Sequence, residues 1–356
     1  MASLVESTKQ LIEQGQSDDL LAIPTKIEKL DQYVYGTRQK CMYLYGAESG
    51  VGKTTFVREK HMHVPYELYK EINDPTKLDL LFVDVSLEIS PELNLGAAIT
   101  RKAFIDYQKV IPLEKLFGWN KSAGGKLSEE EITIINSYTE YFEEFSRKLL
   151  VIDEDVTPTK YHDFLFEVAK RNGTFSKEGR WISDCGTYTP NNPNLYIIVM
   201  VDTVNLSETE PNYDTIKASI DKMSRWSVWF RNKCNMTVIF IQQFNADISG
   251  TDRKRYGITT PLLRDFEDSK RTTKDANVVF GLYDPMRHLK PEESIFKGYD
   301  ILQLKSWFRS LHLLKNRNGH PNKFIPLKFD GAVGVFEQLP DAVNMDERAY
   351  QLATRH

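Results

Sequence analysis

The fold is decided by one stretch of the sequence, Gly46-Ala47-Glu48-Ser49-Gly50-Val51-Gly52-Lys53-Thr54-Thr55. An apolar run, Cys41 to Tyr45, leads into it and predicts a buried strand, whereas Phe56 to Lys60 predicts the start of a helix. Strand, glycine-rich loop and helix in this order predict a phosphate-binding loop, in which backbone N–H groups converge on phosphate oxygens. Ala47 stands where such loops usually have their first glycine, with Gly46 beside it.

The end of this stretch carries the chemistry that a nucleoside triphosphate requires. Lys53 would meet the charge of the β- and γ-phosphates, and the hydroxyl of Thr54 would help to hold Mg²⁺. We therefore expect ATP and Mg²⁺ as cofactors. The residues expected to bind the nucleotide are Ser49, Gly50, Val51, Gly52, Lys53, Thr54 and Thr55.

Apolar runs alternate with helical patterns beyond this loop. Their continuous hydrophobicity indicates strands covered on both faces, as in a parallel sheet flanked by helices. The runs are Leu80 to Leu87, Leu149 to Ile152, Leu195 to Val201 and Met236 to Ile241. Between the last two, apolar residues at three- and four-residue spacing predict one long helix from Ile216 to Cys234.

The end of the chain has a different pattern, with short apolar runs around the turn signals Asn318-Gly319 and Asp330-Gly331. We expect these runs to add antiparallel strands to the sheet. They are Ser310 to Leu314, Phe324 to Phe329 and Val333 to Phe336. The fold class predicted from the whole pattern is α/β, with a mostly parallel central sheet and an antiparallel C-terminal extension.

Length and composition set limits on the class of protein. The 356 residues are 41% hydrophobic and 27% charged, which is typical of a globular chain. The net charge of -4 excludes a uniformly basic surface, so any contact with nucleic acid must come from a local patch. Cys41, Cys185 and Cys234 are expected to be reduced thiols. We find no signal peptide and no apolar run that could span a bilayer, and we expect a cytoplasmic protein, in the host cytoplasm if it is viral.

The chain is expected to have three parts. Residues 1–22 would form an amphipathic helix, Ser3 to Gln14, stopped at Gly15 and followed by a linker. Residues 23–340 would form one ATPase domain, and residues 341–356 a C-terminal tail. A turn-rich insertion at about 172–194 is expected to be a hairpin.

Carboxylates at two strand ends are candidates for the chemistry around the phosphates. Asp202 ends the strand that begins at Leu195, where a second carboxylate for the magnesium shell is expected. No acid follows it, because the next residue is Thr203. Glu88 lies at the end of the strand after the phosphate-loop helix, and we expect it to be the base that activates water. The alternative for Glu88 is a solvated glutamate at a strand end.

Several motifs in order resemble the DnaB-type replicative helicases, whose motor domain is RecA-like. The resemblance runs from about Ile23 to Leu339 and includes the phosphate loop and the Asp202 strand. Further matching segments are Ile23-Pro24-Thr25, Leu30-Asp31, Ser86-Leu87-Glu88-Ile89-Ser90, Phe240-Ile241-Gln242-Gln243-Phe244-Asn245, Asp275-Ala276-Asn277-Val278-Val279 and Lys315-Asn316-Arg317-Asn318-Gly319. The resemblance implies an ATP-driven helicase that forms a ring, expected to be a hexamer, on single-stranded DNA during replication.

The resemblance also implies roles for residues late in the chain. Gln243 ends a buried strand and would sense the γ-phosphate as the family's glutamine does. The loop from Ala246 to Thr260 holds Arg253, Lys254 and Arg255 where the family has a DNA-binding loop, although such a run is otherwise simply solvated. Lys315 and Arg317 match residues that reach the γ-phosphate of the neighbouring subunit, the alternative being that they flank a turn.

Departures from the family pattern leave other functions open. Family members carry an N-terminal helical domain that docks primase, whereas residues 1–22 precede Ile23 here. Primase or a loader protein is still implied as a partner. Glu267 stands where the family often has an arginine, so that DNA contact is not transferred. A RecA-type filament or loading ATPase is one alternative, and a non-enzymatic assembly protein that binds ATP at its interfaces is another.

Overall fold

The structure is a computed structural model of the chain. It describes residues 4–16, 20–86, 88–119, 125–153, 156–204, 207–245, 248, 253, 260–288 and 294–356.

A nine-stranded sheet forms the centre of the molecule, in the order β13-β12-β11-β8-β1-β7-β6-β2-β3. Its strands are β1 (Met42–Ala47), β2 (Asp79–Ser86), β3 (Leu149–Ile152), β6 (Leu195–Asp202), β7 (Thr237–Gln243), β8 (Val278–Tyr283), β11 (Phe308–Asn316), β12 (Lys323–Asp330) and β13 (Val335–Gln338). Two short pairs lie outside it, β4 (Gly173–Phe175) with β5 (Tyr188–Pro190), and β9 (Ile295–Phe296) with β10 (Tyr299–Asp300).

The neighbouring strands from β8 through β3 are parallel, whereas β11, β12 and β13 are antiparallel to their neighbours. The predicted fold class is therefore confirmed. We call the edge at which β1, β2, β6 and β7 end the carboxyl edge of the sheet. The opposite edge, where β1 and β8 begin and the antiparallel β11 ends, is called the amino edge.

Helices cover both faces of the sheet. They are α1 (Leu4–Gln16), α2 (Glu28–Val34), α3 (Lys53–Arg58), α4 (Val64–Ile72), α5 (Pro91–Tyr107), α6 (Leu113–Leu116), α7 (Glu129–Ser137), α8 (Thr139–Arg147), α9 (Pro158–Arg171), α10 (Ile216–Cys234), α11 (Lys270–Asp275), α12 (Ile301–Leu304) and α13 (Glu347–Ala353). A π-helical turn, Glu59–His63, joins α3 to α4. The long helix predicted between the two strands is α10.

The core consists of two large apolar clusters, one on each face of the sheet. In β1, Tyr43 and Tyr45 belong to one cluster, while Met42 and Leu44 belong to the other. This alternation follows from the period of two along a strand. Because both faces are buried, β1 lacks an apolar-polar alternation and forms a continuous apolar run in the sequence.

The strand β8 was not predicted from the sequence, although it lies between β1 and β11. Its residues, Val278 to Tyr283, are all buried. An apolar run of this length is compatible with a buried strand or a helix segment, so periodicity alone does not identify it. The consequence is that the parallel part of the sheet extends one strand further than predicted.

The sequence predictions for the two ends of the chain and for the insertion agree with the structure to different degrees. Helix α1 continues through Gly15 to Gln16, and Ser3, its expected cap, lies outside the described residues. The segment expected to be a tail contains α13, whose Ala353 is buried in a cluster with Ile301 and Phe308. The β4–β5 pair confirms the hairpin expected for the insertion. All three cysteines are buried and unpaired, as predicted.

Candidate functional site

The phosphate loop joins the end of β1 to the start of α3. Gly50 and Gly52 have φ of 71° and 102°, a region that L residues with a side chain rarely adopt. A Cβ at Gly52 would also come within 3.1 Å of the Phe329 ring. Both glycines are therefore required by the backbone path, which places loop amides and the first turn of α3 where an anion binds.

The predicted nucleotide and metal residues meet at the carboxyl edge. Thr54 Oγ1 donates to Asp202 Oδ1 over 3.1 Å, and Lys53 Nζ lies 3.9 Å from Glu88 Oε2. The register pairs Ser86 of β2 with Asp202 of β6, so the two carboxylates extend from adjacent strand ends. Residues separated by more than a hundred positions in sequence thus form one cluster, as the strand-end reasoning predicted.

The hydroxyl of Thr203 lies between the two carboxylates. Its Oγ1 is 3.1 Å from Glu88 Oε2 and 3.1 Å from Asp202 Oδ1. The residue itself is 4% exposed, whereas nearly half of the Glu88 side chain is exposed. In the sequence Thr203 is notable only because it is not an acid. A threonine after a strand carries no signal of this contact.

Asp202 fits a site for a divalent cation. The residue is 1% exposed, and its Oδ2 has no hydrogen-bond partner among the described residues. A buried carboxylate oxygen without a hydrogen bond is costly unless positive charge nearby compensates it, and the Arg58 guanidinium lies 3.9 Å away, beyond hydrogen-bond distance. Hard cations such as Mg²⁺ prefer oxygen ligands, and the carboxylate of Asp202 and the hydroxyl of Thr54 provide them.

A buried ion pair between Arg58 and Asp84 lies next to this cluster. Arg58 Nη2 lies 3.0 Å from Asp84 Oδ2, 3.2 Å from Ser86 Oγ and 3.9 Å from Asp202 Oδ2. Burial raises the pKa of Asp84, Arg58 opposes the rise and the charge of Asp202 adds to it. A charged residue inside an apolar strand and another in the helix after the phosphate loop are the sequence signals from which this pair could have been predicted.

Gln243 ends β7 next to the phosphate loop. Its register partner in β1 is Ala47, the last strand residue before the loop. The Gln243 side chain is exposed, whereas the preceding Gln242 is fully buried and accepts a bond from Thr272 Oγ1 over 3.1 Å. Gln243 therefore lies on the predicted edge, and its role as a sensor stays a prediction.

The outer side of the phosphate loop is held by residues that the sequence did not identify. Arg287 Nη1 donates to the carbonyl of Ser49 over 2.6 Å, and Arg309 Nε donates to the carbonyl of Val51 over 2.9 Å. Asp284, which follows β8, lies 3.4 Å from Arg287 and 3.3 Å from Arg309. The turn after β8 and the strand β11 thus fix the loop through its carbonyls.

Lys315 and Arg317 lie at the amino edge, away from the phosphate loop of the same chain. Asn316 of β11 pairs with Val278 at the start of β8. Lys315 Nζ donates to the carbonyls of Thr273 and Lys274 over 2.6 and 2.9 Å, at the end of α11, and Arg317 donates to Lys274 as well. Burial and the neighbouring Arg317 lower the pKa of Lys315 to about 8. Within one subunit these cations therefore lie at the edge opposite the phosphate loop.

The predicted basic loop is described only in part. Lys254 and Arg255 lie outside the described residues. Arg253 is 6% exposed, forms an ion pair with Asp265 and donates to the carbonyl of Thr260 over 2.7 Å. Its guanidinium is thus used inside the protein, which differs from the expected contact with a phosphate backbone. We attribute this to a buried carboxylate that the charge run did not reveal.

Among the solved structures that share this fold, two are similar over most of this chain. One is the structure of an ATPase domain, which is 19% identical, with 96% of this chain and 100% of that chain covered and a TM-score of 0.68. The other is a DnaB-like replicative helicase, studied with its primase interactions, which is 18% identical, with 95% of this chain and 67% of that chain covered and a TM-score of 0.65. At these identities the likeness shows the fold alone, and that fold is the RecA-like one that the motifs predicted.

Other comparisons give no match. Neither protein-family models nor curated proteins resemble this sequence closely enough to be matched. In the described part of the chain, every helix is too short or too polar to cross a membrane.

Proposed function

We propose that this chain is the subunit of an ATP- and Mg²⁺-dependent helicase or translocase that assembles as a ring, expected to be a hexamer, on single-stranded DNA. One observation carries the proposal. Lys53, Glu88 and Asp202 meet at the carboxyl edge, whereas Lys315 and Arg317 lie at the amino edge of the same sheet. A head-to-tail arrangement of subunits would bring the amino edge of one to the carboxyl edge of the next.

The residues of the carboxyl edge support hydrolysis of the γ-phosphate. Lys53 and the loop amides would bind the phosphates, and Thr54 with Asp202 would hold Mg²⁺, which neutralises phosphate charge when bound. Glu88 would accept a proton from the water whose oxygen attacks the γ-phosphorus, while the bond to the bridging oxygen breaks and ADP leaves. Gln243 would contact the γ-phosphate or that water.

The amino edge would supply charge from the neighbouring subunit. Arg317 is exposed and lies beside Lys315, so both can meet an anion on another molecule. Positive charge brought to the γ-phosphate stabilises the charge that develops during transfer, as an arginine finger does. Hydrolysis would therefore depend on assembly, which is the property a ring motor needs to couple its subunits.

DNA would be gripped by the loop that follows Gln243. Lys254 and Arg255 are the remaining candidates for contact with the phosphate backbone, because Arg253 is paired inside the protein. A loop directly after a sensor at the γ-phosphate would change its position with the state of the nucleotide. We place this activity in the cytoplasm, or in the host cytoplasm for a viral protein, with a loader or primase as further partners.

The test is to measure ATP hydrolysis and strand separation together with particle mass. We expect single-stranded DNA to stimulate turnover, a forked duplex to be unwound, and the mass to rise to that of a ring with an ATP analogue and DNA. Lys53→Ala should lose all of these activities. Turnover that ignores DNA in a particle that remains monomeric with nucleotide and DNA would refute the proposal.

A filament or loading ATPase is the second candidate, favoured by the same placement of the two edges. Head-to-tail contacts close into rings only if the rotation between subunits closes, and otherwise give an open helix. Electron micrographs of the protein on single-stranded DNA distinguish these outcomes. Helical filaments in place of closed rings would support the second candidate.

A further inference from the structure

Thr203 carries one proton between two carboxylates. Its Oγ1 is at 3.1 Å from both Glu88 Oε2 and Asp202 Oδ1, so the hydroxyl is in donor range of each. Ionised carboxylates accept hydrogen bonds and donate none, and a hydroxyl has a single proton to give. Thr203 can therefore serve only one of the two carboxylates at a time.

Thr54 is a second hydroxyl donor to one of these two carboxylates. Its hydroxyl also lies 3.1 Å from Asp202 Oδ1 and donates to it. A threonine whose lone pairs face a cation turns its proton away from that cation, which here means toward Asp202. Asp202 thus has a hydroxyl donor besides Thr203, whereas Thr203 is the hydroxyl that reaches Glu88 among the described residues.

Ser86 and Ile89, on either side of Glu88, are joined by a hydrogen bond, whereas the Glu88 side chain is exposed. Ser86 Oγ donates to the carbonyl of Ile89 over 2.5 Å, and Asn94 Nδ2 lies 3.2 Å from Ser86 Oγ. The Glu88 side chain itself is 45% exposed, and holding an exposed glutamate in one rotamer costs conformational entropy. A hydrogen bond from the buried Thr203 offsets that cost.

The contact also selects which oxygen of Glu88 remains for water. Among the described residues, the contacts of this carboxylate with Lys53 and Thr203 both fall on Oε2. Oε1 is thus the oxygen that can accept a proton. Without Thr203, the remaining partner of the Glu88 carboxylate would be the Lys53 ammonium, at 3.9 Å. The proposed function assigns that ammonium to the phosphates of ATP.

We propose that Thr203 is a positioning residue for ATP hydrolysis, which holds Glu88 by its Oε2 so that Oε1 faces the attacking water. This inference rests on the proposed function, because it requires Glu88 to be the base. It assigns a role to Thr203, the residue that follows Asp202 and that the sequence analysis noted only for not being an acid. Thr203 acts through Glu88 and does not touch the reacting atoms.

The experiment compares Thr203→Val, which keeps the shape and removes the hydroxyl, with Thr203→Ser, which retains the hydroxyl. Turnover is measured at saturating Mg-ATP with single-stranded DNA, and affinity is measured by titrating a fluorescent ATP analogue. We expect Thr203→Val to lower kcat about 10- to 100-fold, the size associated with a hydrogen bond to a charged group. Nucleotide affinity should stay within about twofold, and Thr203→Ser should recover most of the rate.

A matched control is Thr237→Val. Thr237, the first residue of β7, is also buried and lies away from both carboxylates. Its Oγ1 donates over 2.7 Å to the carbonyl of Arg38. We expect this variant to keep normal turnover. A rate that falls as far as in Thr203→Val would mean that losing any buried hydroxyl causes the effect, and this would overturn the proposal.

A double variant shows whether Thr203 acts through Glu88. If it does, Thr203→Val should cause no further loss in a Glu88→Gln background, because the positioned base is already absent. Multiplicative losses, a Thr203→Val rate equal to that of the unaltered protein, or lost nucleotide binding would each overturn the inference while leaving the proposed function standing. Absence of turnover in the unaltered protein would overturn both.

Discussion

The two edges of the central sheet differ in how complete their chemistry is. At the carboxyl edge, Lys53, Thr54, Glu88 and Asp202 lie within contact distance of one another or of Thr203. At the amino edge, Lys315 and its neighbour Arg317 have carbonyls of α11 as partners and no carboxylate of the catalytic cluster near them. If the proposed function holds, one chain carries the groups that would bind and activate at one edge, and the charges that would stabilise transfer at the other.

The largest expected effect comes from mixing two variants, one altered at the carboxyl edge and the other at the amino edge. Lys53→Ala and Arg317→Ala alone should each lower turnover about a thousandfold or more, because each removes charge at the transferring phosphate. Reassembled in a one-to-one mixture, about a quarter of the interfaces should combine an intact phosphate loop with an intact Arg317 by random assortment. We therefore expect the mixture to regain a substantial part of the rate, measured as ATP turnover.

The mixing experiment has a clear control and a clear contradiction. Arg348→Ala alters an exposed arginine in α13 and should behave like the unaltered protein. Mixed particles, verified by mass, that remain as inactive as either variant alone would mean that Arg317 serves its own subunit or none.

The second effect concerns the carboxyl edge alone. Glu88→Gln should lower turnover about a hundredfold, the usual range for loss of a general base, because an amide cannot take the proton from water. Nucleotide binding should be retained, since Lys53 and the loop amides are unchanged. Single-turnover hydrolysis and a binding titration measure the two quantities separately.

Glu92→Gln is the matched control for this variant. Glu92 is an exposed carboxylate in the first turn of α5, four residues further along the chain, and its loss should leave turnover unchanged. Normal turnover in Glu88→Gln would remove Glu88 as the base, and the non-enzymatic assembly protein would then become the better interpretation.

The smallest effect is a pH dependence at the amino edge. Burial, Arg317 and, less strongly, Arg231 lower the pKa of Lys315, Asp275 opposes them, and the net pKa is about 8. A lysine with a lowered pKa keeps its charge below that value and loses it above. If the charge is needed, turnover should fall from pH 8 upward, by at most about tenfold at pH 9, as the fraction of cation falls.

Lys315→Arg tests the assignment of that decline. An arginine stays charged throughout this range, so the decline above about pH 8 should disappear in rate measurements between about pH 7 and 9.5. Nucleotide affinity of the unaltered protein over the same range serves as the control. A decline of equal size in the arginine variant would assign the titration to a different group.

The sequence predicted which side chains lie at the carboxyl edge, because a residue that follows a parallel strand necessarily lies at that edge. Asp202 and Glu88 follow apolar runs, and a parallel sheet brings the ends of such runs together, so their meeting with Lys53 follows from topology alone. Gln243 was placed on this edge for the same reason. What the pattern could not supply was the path of each side chain, as the contact of Thr203 with both carboxylates illustrates.

Contacts between distant segments were the part that could not be predicted. Arg287 and Arg309 hold the phosphate loop by the carbonyls of Ser49 and Val51, and no periodicity or spacing links positions so far apart. The burial of Arg253 could not be foreseen for the same reason. Its charge suggested a surface, whereas the partner that buries it, Asp265, lies 12 positions away across an undescribed stretch.

Strand β8 connects the two edges mechanically. Asn277, just before it, accepts the backbone N–H of Arg317 over 3.0 Å, and Asp284, just after it, pairs with the arginines that hold the phosphate loop. The strand is bonded on both sides, to β1 and β11, and its six residues span about 20 Å. Under the proposed function, a displacement of the phosphate loop would be passed along this strand to the opposite edge. In an assembled motor, each subunit would deliver the state of its own nucleotide to the next one as a movement of Arg317.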